Sequence, residues 1–166
     1  MPATYEPIAT TKITGSSTTQ VDFTSIPATY TDLIISMNLV NGTSLNALFM
    51  RFNSDSGANY GSLNWGVNGT TVFGQAGSGA TTIQTTASSI NDPMPALTHI
   101  FSYANTNIYK SGFTRSTSSG NPRTGMYAFG WASTSAISSI TLYRDSGSPG
   151  IIGADSVFTL YGIKAA

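Results

Sequence analysis

The chain has 166 residues, with seven Lys and Arg balancing seven Asp and Glu, a single His and no Cys. Forty-seven residues are Ser or Thr and one is Glu, a composition that builds strands and turns but supplies little for acid–base, thiol or metal chemistry, which points away from an enzyme. Zero net charge, with Lys12, Arg51, Lys110, Arg115, Arg123, Arg144 and Lys164 dispersed, points away from nucleic acid and anionic membranes as partners.

Charged residues make up 8% of the chain, against about 25% in an ordinary domain, so hydration must rest on hydroxyls and amides. The length suits one domain over residues 1–166. The absence of Cys excludes a disulfide framework without locating the protein. No stretch reaches the roughly 18 apolar residues of a membrane helix, and MPATYEPIATTKITG lacks the basic and apolar regions of a signal peptide.

The first eleven residues, with Pro2 and Pro7 bracketing Tyr5 and Ile8 just beyond, read either as an extended arm that lies on a neighbour or as an edge strand. Strands are expected in EPIATTKIT and TTQVDFT, and then in TDLIISMNLV, where Leu33, Ile35, Met37 and Leu39 share one face. Val40-Asn41-Gly42-Thr43 reads as a hairpin turn. In LNALFMRF both alternating sets are largely apolar, as in a strand near the middle of a sandwich.

Breaks are expected at residues 54–59, 76–80, 91–95, 118–122 and 145–153, and a second Asn-Gly hairpin at Val67-Asn68-Gly69-Thr70. LTHIFSYA, YKSGFTRST, SITLYR and SVFTLYGIK read as further strands. In GMYAFGWAS, Tyr127, Phe129 and Trp131 face one way and small residues the other, which suggests close packing over the small side. No helical period extends over three turns. The pattern predicts an all-β protein, a jelly-roll-like antiparallel β-sandwich of about 8–10 strands.

Candidate sites are few. Asn53, Asp55, Gly57 and Asn59 form an oxygen-rich group, but their order fails the EF-hand spacing and a turn accounts for them better. Gly74 to Gly79 lacks the features of a phosphate loop and reads as a flexible loop. His99, in register with Leu97, Phe101 and Tyr103, is expected to pack on a sheet face. The six Asp residues show no spacing that pairs carboxylates, and Asp32 and Asp92 suit local backbone bonds at strand or turn boundaries.

The sequons at Asn41 and Asn68 are explained by turn geometry. Of the aromatic residues, Trp131 is assigned to the core, while Tyr60 and Trp65 are the two that could stack on a glycan. No catalytic residue, metal ligand or cofactor is assigned.

The segments SIPATYTDLIISMNLV, LFMRFNSDSGANYGSL, GWASTSAISSITLY and SVFTLYGIKAA resemble small virion structural proteins of tailed bacteriophages. The resemblance runs from about Ser25 to Ala166 and is most specific at Arg51-Phe52-Asn53, Asn59-Tyr60 and Leu160-Tyr161-Gly162-Ile163-Lys164. It implies capsid decoration (cement) proteins, head fibres or tail appendages, and it transfers no functional residue.

The short chain favours the cement role: a homotrimer made in the host cytoplasm, bound to the major capsid protein on the outer surface of the phage head. Its contacts are then expected in the arm, through Pro2, Tyr5, Pro7 and Ile8. The alternative is an appendage that binds host glycan through Tyr60 and Trp65.

Overall fold

The computed structural model describes residues 4–43, 47–86, 93–119, 122–144 and 151–164. The described strands are β1 (Tyr5–Lys12), β2 (Gln20–Phe23), β3 (Asp32–Leu39), β4 (Asn41–Thr43), β5 (Leu48–Phe52), β6 (Tyr60–Asn68) and β7 (Thr71–Ala80). They continue with β8 (Ile83–Gln84), β9 (Met94–Phe101), β10 (Lys110–Ser118), β11 (Arg123–Trp131), β12 (Ile140–Arg144), β13 (Ile151–Ile152) and β14 (Val157–Ile163). The architecture is an all-β antiparallel sandwich, as the alternation predicts.

An eight-stranded sheet runs β1-β14-β3-β9-β10-β11-β6-β7 and a four-stranded sheet runs β2-β12-β5-β8, while β13 and β4 form a small separate pair. The fourteen strands exceed the expected eight to ten because three have only two or three residues, and because β6 and β7 lack the apolar alternation that marks a strand.

The core lies between the two sheets. Leu33, Ile35, Met37 and Leu39 of β3 are buried together, as their spacing predicts, with Phe158 and Leu160 of β14. Opposite them lie Val21 and Phe23 of β2, Leu48, Met50 and Phe52 of β5, and Ile140 and Leu142 of β12. At one end Phe52 meets Tyr60, Phe129 and Trp131, with ring centroids 6.3, 6.0 and 5.5 Å away. Burying such a side chain contributes roughly 1.5–3 kcal/mol, so the buried faces of β3, β5 and β11 each contribute substantially to folding.

Several expected details differ. The stretch Tyr5–Lys12 is an edge strand: β1 pairs antiparallel with β14 of its own chain, with a bulge at Ile8 between Pro7 and Ala9. Of the two readings of these residues the structure has the edge strand, and the contact arm over Tyr5, Pro7 and Ile8 is corrected to it, because the β14 edge offers backbone partners at once. Ile8 also packs against the core. Pro2 lies outside the described residues.

The Asn41-Gly42 segment is no hairpin turn, since β4 continues after β3 and pairs with β13. At the second Asn-Gly a hairpin does form, one residue later than expected: Asn68 ends β6 and pairs with Thr71, and the two-residue loop is Gly69-Thr70, with Gly69 at φ +62°. Residues 74–79 lie within β7 rather than in a loop, and the expected break at 76–80 is absent. Asp92 lies outside the described residues.

Glycine is required at Gly162. A Cβ there would stand 2.2–2.4 Å from the Tyr30 ring, which packs flat on the β14 backbone. The Tyr30 hydroxyl donates to Glu6 Oε2 at 3.2 Å, and Lys164 Nζ donates to Glu6 Oε1 at 2.7 Å. The Leu-Tyr-Gly-Ile-Lys run thus fastens β1 to β14. Gly162→Ala is expected to destabilise the fold by about 1–3 kcal/mol. Combining it with Tyr30→Ala should make the two losses less than additive in urea denaturation, and full additivity would refute the steric account.

Candidate functional site

The Asn53–Asn59 group is a pinned corner. Asn53 and Ser54 take left-handed φ values of 51° and 57°, which bends the chain sharply after β5. Asn53 Oδ1 accepts from the backbone N–H of Ser138 at 2.9 Å and of Ser139 at 3.1 Å, and its Nδ2 donates to the Ala136 carbonyl.

Asp55 Oδ1 accepts from Gly57 N–H at 2.8 Å, while Oδ2 accepts from Trp131 Nε1 at 2.7 Å and from Asn59 Nδ2 at 2.9 Å. These oxygens are engaged by the chain itself, in line with the turn reading. Trp131 is buried, as assigned, and stacks on Tyr60 at 6.3 Å.

Tyr60 is only 1% exposed, which corrects its assignment as a glycan contact. Its hydroxyl accepts from Phe52 N–H at 3.1 Å and donates to the Asp55 carbonyl at 3.2 Å, and burial pushes its pKa up to about 12. Trp65 is 53% exposed and available. The two residues are five apart on one strand and so point to opposite faces.

His99 sits on the outer face of the eight-stranded sheet with Leu97 and Phe101, its ring 4.3 Å from Phe101 and 5.9 Å from Phe113. Its Nε2 lies 3.0 Å from Asp32 Oδ2, and Asp32 Oδ1 accepts from Ser102 N–H at 2.7 Å. Tyr103 leaves this face, because Ser102 takes φ +47° and turns the chain inward. Its hydroxyl donates to the Pro27 carbonyl. Sheet-face packing of His99 is thus what the structure has.

The outer face carries the larger feature. In register from strand to strand, Trp65 of β6 lies beside Met126 of β11, Met126 beside Arg115 of β10, and Arg115 beside Leu97 of β9. One row along, Leu63 lies beside Ala128, Ala128 beside Phe113, and Phe113 beside His99.

Leu63, Trp65, Phe101 and Met126 are exposed, and among the described residues no strand packs over them. The small side of β11 therefore faces outward: Ala128 and Gly130 are half-buried and Ala132 is exposed. The close packing expected over that side does not occur within the described chain. Two shallow grooves, of about 480 and 330 Å³, flank Arg115 on this face.

A second concavity, of about 630 Å³, opens on the inner face where β6 and β7 extend past the four-stranded sheet. It is lined by Asn64, Phe73, Gln75, Gln84, Arg123 and Tyr127, among others. Sequence reasoning missed these residues because β7 reads as a glycine-rich loop. The available signal is the alternation Thr71, Phe73, Gln75, which places three longer side chains on one face.

No protein-family profile matches the sequence, and no curated protein matches it. Among solved structures the chain is similar to a protein of unknown function from Shewanella oneidensis MR-1, at 10% identity and a TM-score of 0.33 over 98% of this chain and 77% of that one. It is also similar to the marine PL-14 alginate lyase from Aplysia kurodai, at 8% identity and a TM-score of 0.31 over 83% and 70%. A third is an alginate lyase in complex with an alginate tetrasaccharide, at 10% identity and a TM-score of 0.30 over 95% and 80%. Likeness at these values assigns neither activity nor ligand.

The Asp55 corner has a pH signature. Hydrogen bonds from Trp131 first, then from Asn59 and Gly57, hold the Asp55 carboxyl below its ordinary 3.8. A lowered folded-state value stabilises the fold above the ordinary pKa, and this contribution is lost as pH falls through the lowered one. Asp55→Ala is expected to cost about 1–3 kcal/mol at neutral pH, since it leaves the buried Trp131 N–H without its acceptor. The gap from wild type should narrow in acid, and a gap independent of pH in urea denaturation would refute the role of the carboxylate.

Proposed function

We propose that this protein is a non-enzymatic virion structural protein, a decoration (cement) protein that binds the outer surface of a tailed-phage head and ties neighbouring capsid subunits together. The observation that carries this reading is the uncovered outer face of the eight-stranded sheet. Contiguous exposed apolar surface with aromatic side chains and few charges is what a docking patch presents. Arg115 between Met126 and Leu97 supplies a polar anchor of the kind enriched in such patches.

The sequence resemblance to phage virion proteins supports the same reading, as does a hydroxyl-rich surface of low charge. A protein that binds only the assembled shell stabilises the shell by mass action. The major capsid protein is the partner in this reading, and three copies meeting at a capsid three-fold position form the bound unit.

The β1 edge contributes less than an arm would, because its backbone is already paired with β14. The appendage reading keeps Trp65 but loses Tyr60, which is buried.

Image reconstruction of the particle tests the proposal. Density for this chain over the whole head lattice is expected, whereas density confined to the tail or to one vertex would assign it to an appendage. Trp65→Asp combined with Met126→Lys should abolish capsid occupancy while leaving the fold intact by circular dichroism. Full occupancy by that variant would refute docking through the outer face.

A further inference from the structure

The groove at the β6–β7 overhang opens mainly on the inner side of the sheet, away from Trp65 and Met126, and it gathers amide side chains over aromatic rings. Asn64 is 7% exposed, lines the groove, and leaves its Oδ1 without a hydrogen-bond partner. A buried, unsatisfied amide oxygen costs roughly 1–3 kcal/mol, so its retention on the core-facing side of β6 needs a reason.

The other amide groups are arranged around it. Asn64 Nδ2 donates to Gln84 Oε1 at 3.4 Å, Gln84 Nε2 donates to the Thr86 carbonyl at 2.8 Å, and Gln75 is paired with Asn64 across the β6–β7 ladder. Four residues along β6, at about 3.3 Å per residue, Asn68 stands some ~13 Å from Asn64. Its Oδ1 accepts from Arg123 Nε at 2.6 Å, which ties the Arg123 side chain to the groove it lines.

The floor is aromatic and is laid over glycine. A Cβ at Gly66 would come within 2.9 Å of the Phe73 ring, and one at Gly125 within 2.7–2.9 Å of the Tyr127 ring and hydroxyl. Both rings therefore lie down on neighbouring backbone instead of filling the groove. Phe73 stays half-buried and Tyr127 forms the base. An apolar ring face beside side-chain amides, which both donate and accept, matches a sugar, with its C–H face and its hydroxyls.

Among the described residues lining the groove, Arg123 is the sole charged side chain and none is a carboxylate. An arginine fork suits a carboxylate partner. We infer that this groove binds an acidic polysaccharide, with the sugar face on Phe73, hydroxyls on the amides of Asn64, Gln75 and Gln84, and a uronate carboxylate on Arg123. The inference does not depend on the docking role, since Asn64, Phe73 and Arg123 lie on the other face of the sheet from Trp65 and Met126, and the two surfaces meet only at Val67 and Val72 of the hairpin.

Short galacturonate oligomers are the probe, titrated into the intact protein by calorimetry and by NMR, with neutral maltose oligomers as the comparison. Saturable binding of the galacturonate oligomers is expected, weakened about tenfold or more by Arg123→Gln, less by Arg123→Lys, and also by Phe73→Ala. Trp65→Ala, on the other face, should leave it unchanged, and each variant is checked for folding by thermal denaturation. Absence of binding at millimolar galacturonate oligomer, equal affinity for maltose oligomers, or binding indifferent to both Arg123→Gln and Phe73→Ala would overturn the assignment.

Discussion

An eight-stranded sheet packed against a four-stranded one has more area than its partner can cover, and this mismatch of widths governs the rest of the molecule. Strands β3, β9 and β14 bury their inner faces with apolar or hydroxyl side chains, and β10 and β11 do so between Lys110 at one end and Arg123 at the other. At the far edge β7 is almost wholly exposed, with Val72 at 78%. β6 changes character along its length, since Tyr60 belongs to the aromatic core and Asn64 already faces the groove. The overhang thus turns part of an inner face, normally hydrocarbon, into a polar concavity, while among the described residues no layer opposes the outer face of the same strands.

A chain with few charges must hold its loops by other means, and it does so with single polar side chains that collect backbone groups. Asn53 pins residues 136–139, and Asp55 ties the corner after β5 to the indole of Trp131. Lys110 is buried, with Nζ donating to the carbonyls of Asn105 at 2.6 Å, Ile108 at 2.8 Å and Thr134 at 3.1 Å, and burial pushes its pKa down. Between β9 and β10, Thr98 and Thr114 share a buried hydrogen bond of 2.7 Å. Each device satisfies groups whose burial would otherwise be unfavourable. Asn53, Asp55 and Lys110 are thereby occupied with structure.

What could be read in advance follows from this division. Strands β3, β5, β11, β12 and β14 are legible because burial of one face forces a period of two, and the hairpin at Gly69 because few residues tolerate its φ. β7 is invisible to the same reasoning: a strand with both faces exposed needs no apolar period, and its glycines read as a loop. Asn41-Gly42 misleads in the opposite sense, since the turn preference of the pair is overridden by pairing of β4 with β13. The Tyr60–Trp65 pair fails on parity, because an odd separation on a strand puts two side chains on opposite sides of the sheet. That much was available from the sequence once β6 is a strand, whereas the groove residues needed the register of β6, β7 and β11.

The two edges of the large sheet explain why the proposed binding surfaces gather at one side. β1 is blunted by Pro7, by the bulge at Ile8, and by Glu6 and Lys12, which are engaged with Lys164 and Asp155. These are the features that stop a sheet edge from recruiting another strand. β7 carries no charged residue and no proline over ten residues, and its protection is limited to glycine content and to the irregular register between Tyr60 and Ser62. Edge backbone, outer apolar face and inner polar groove therefore converge on one β-hairpin. Among the described residues nothing charges or caps that hairpin, which is the arrangement the proposed docking and ligand roles require.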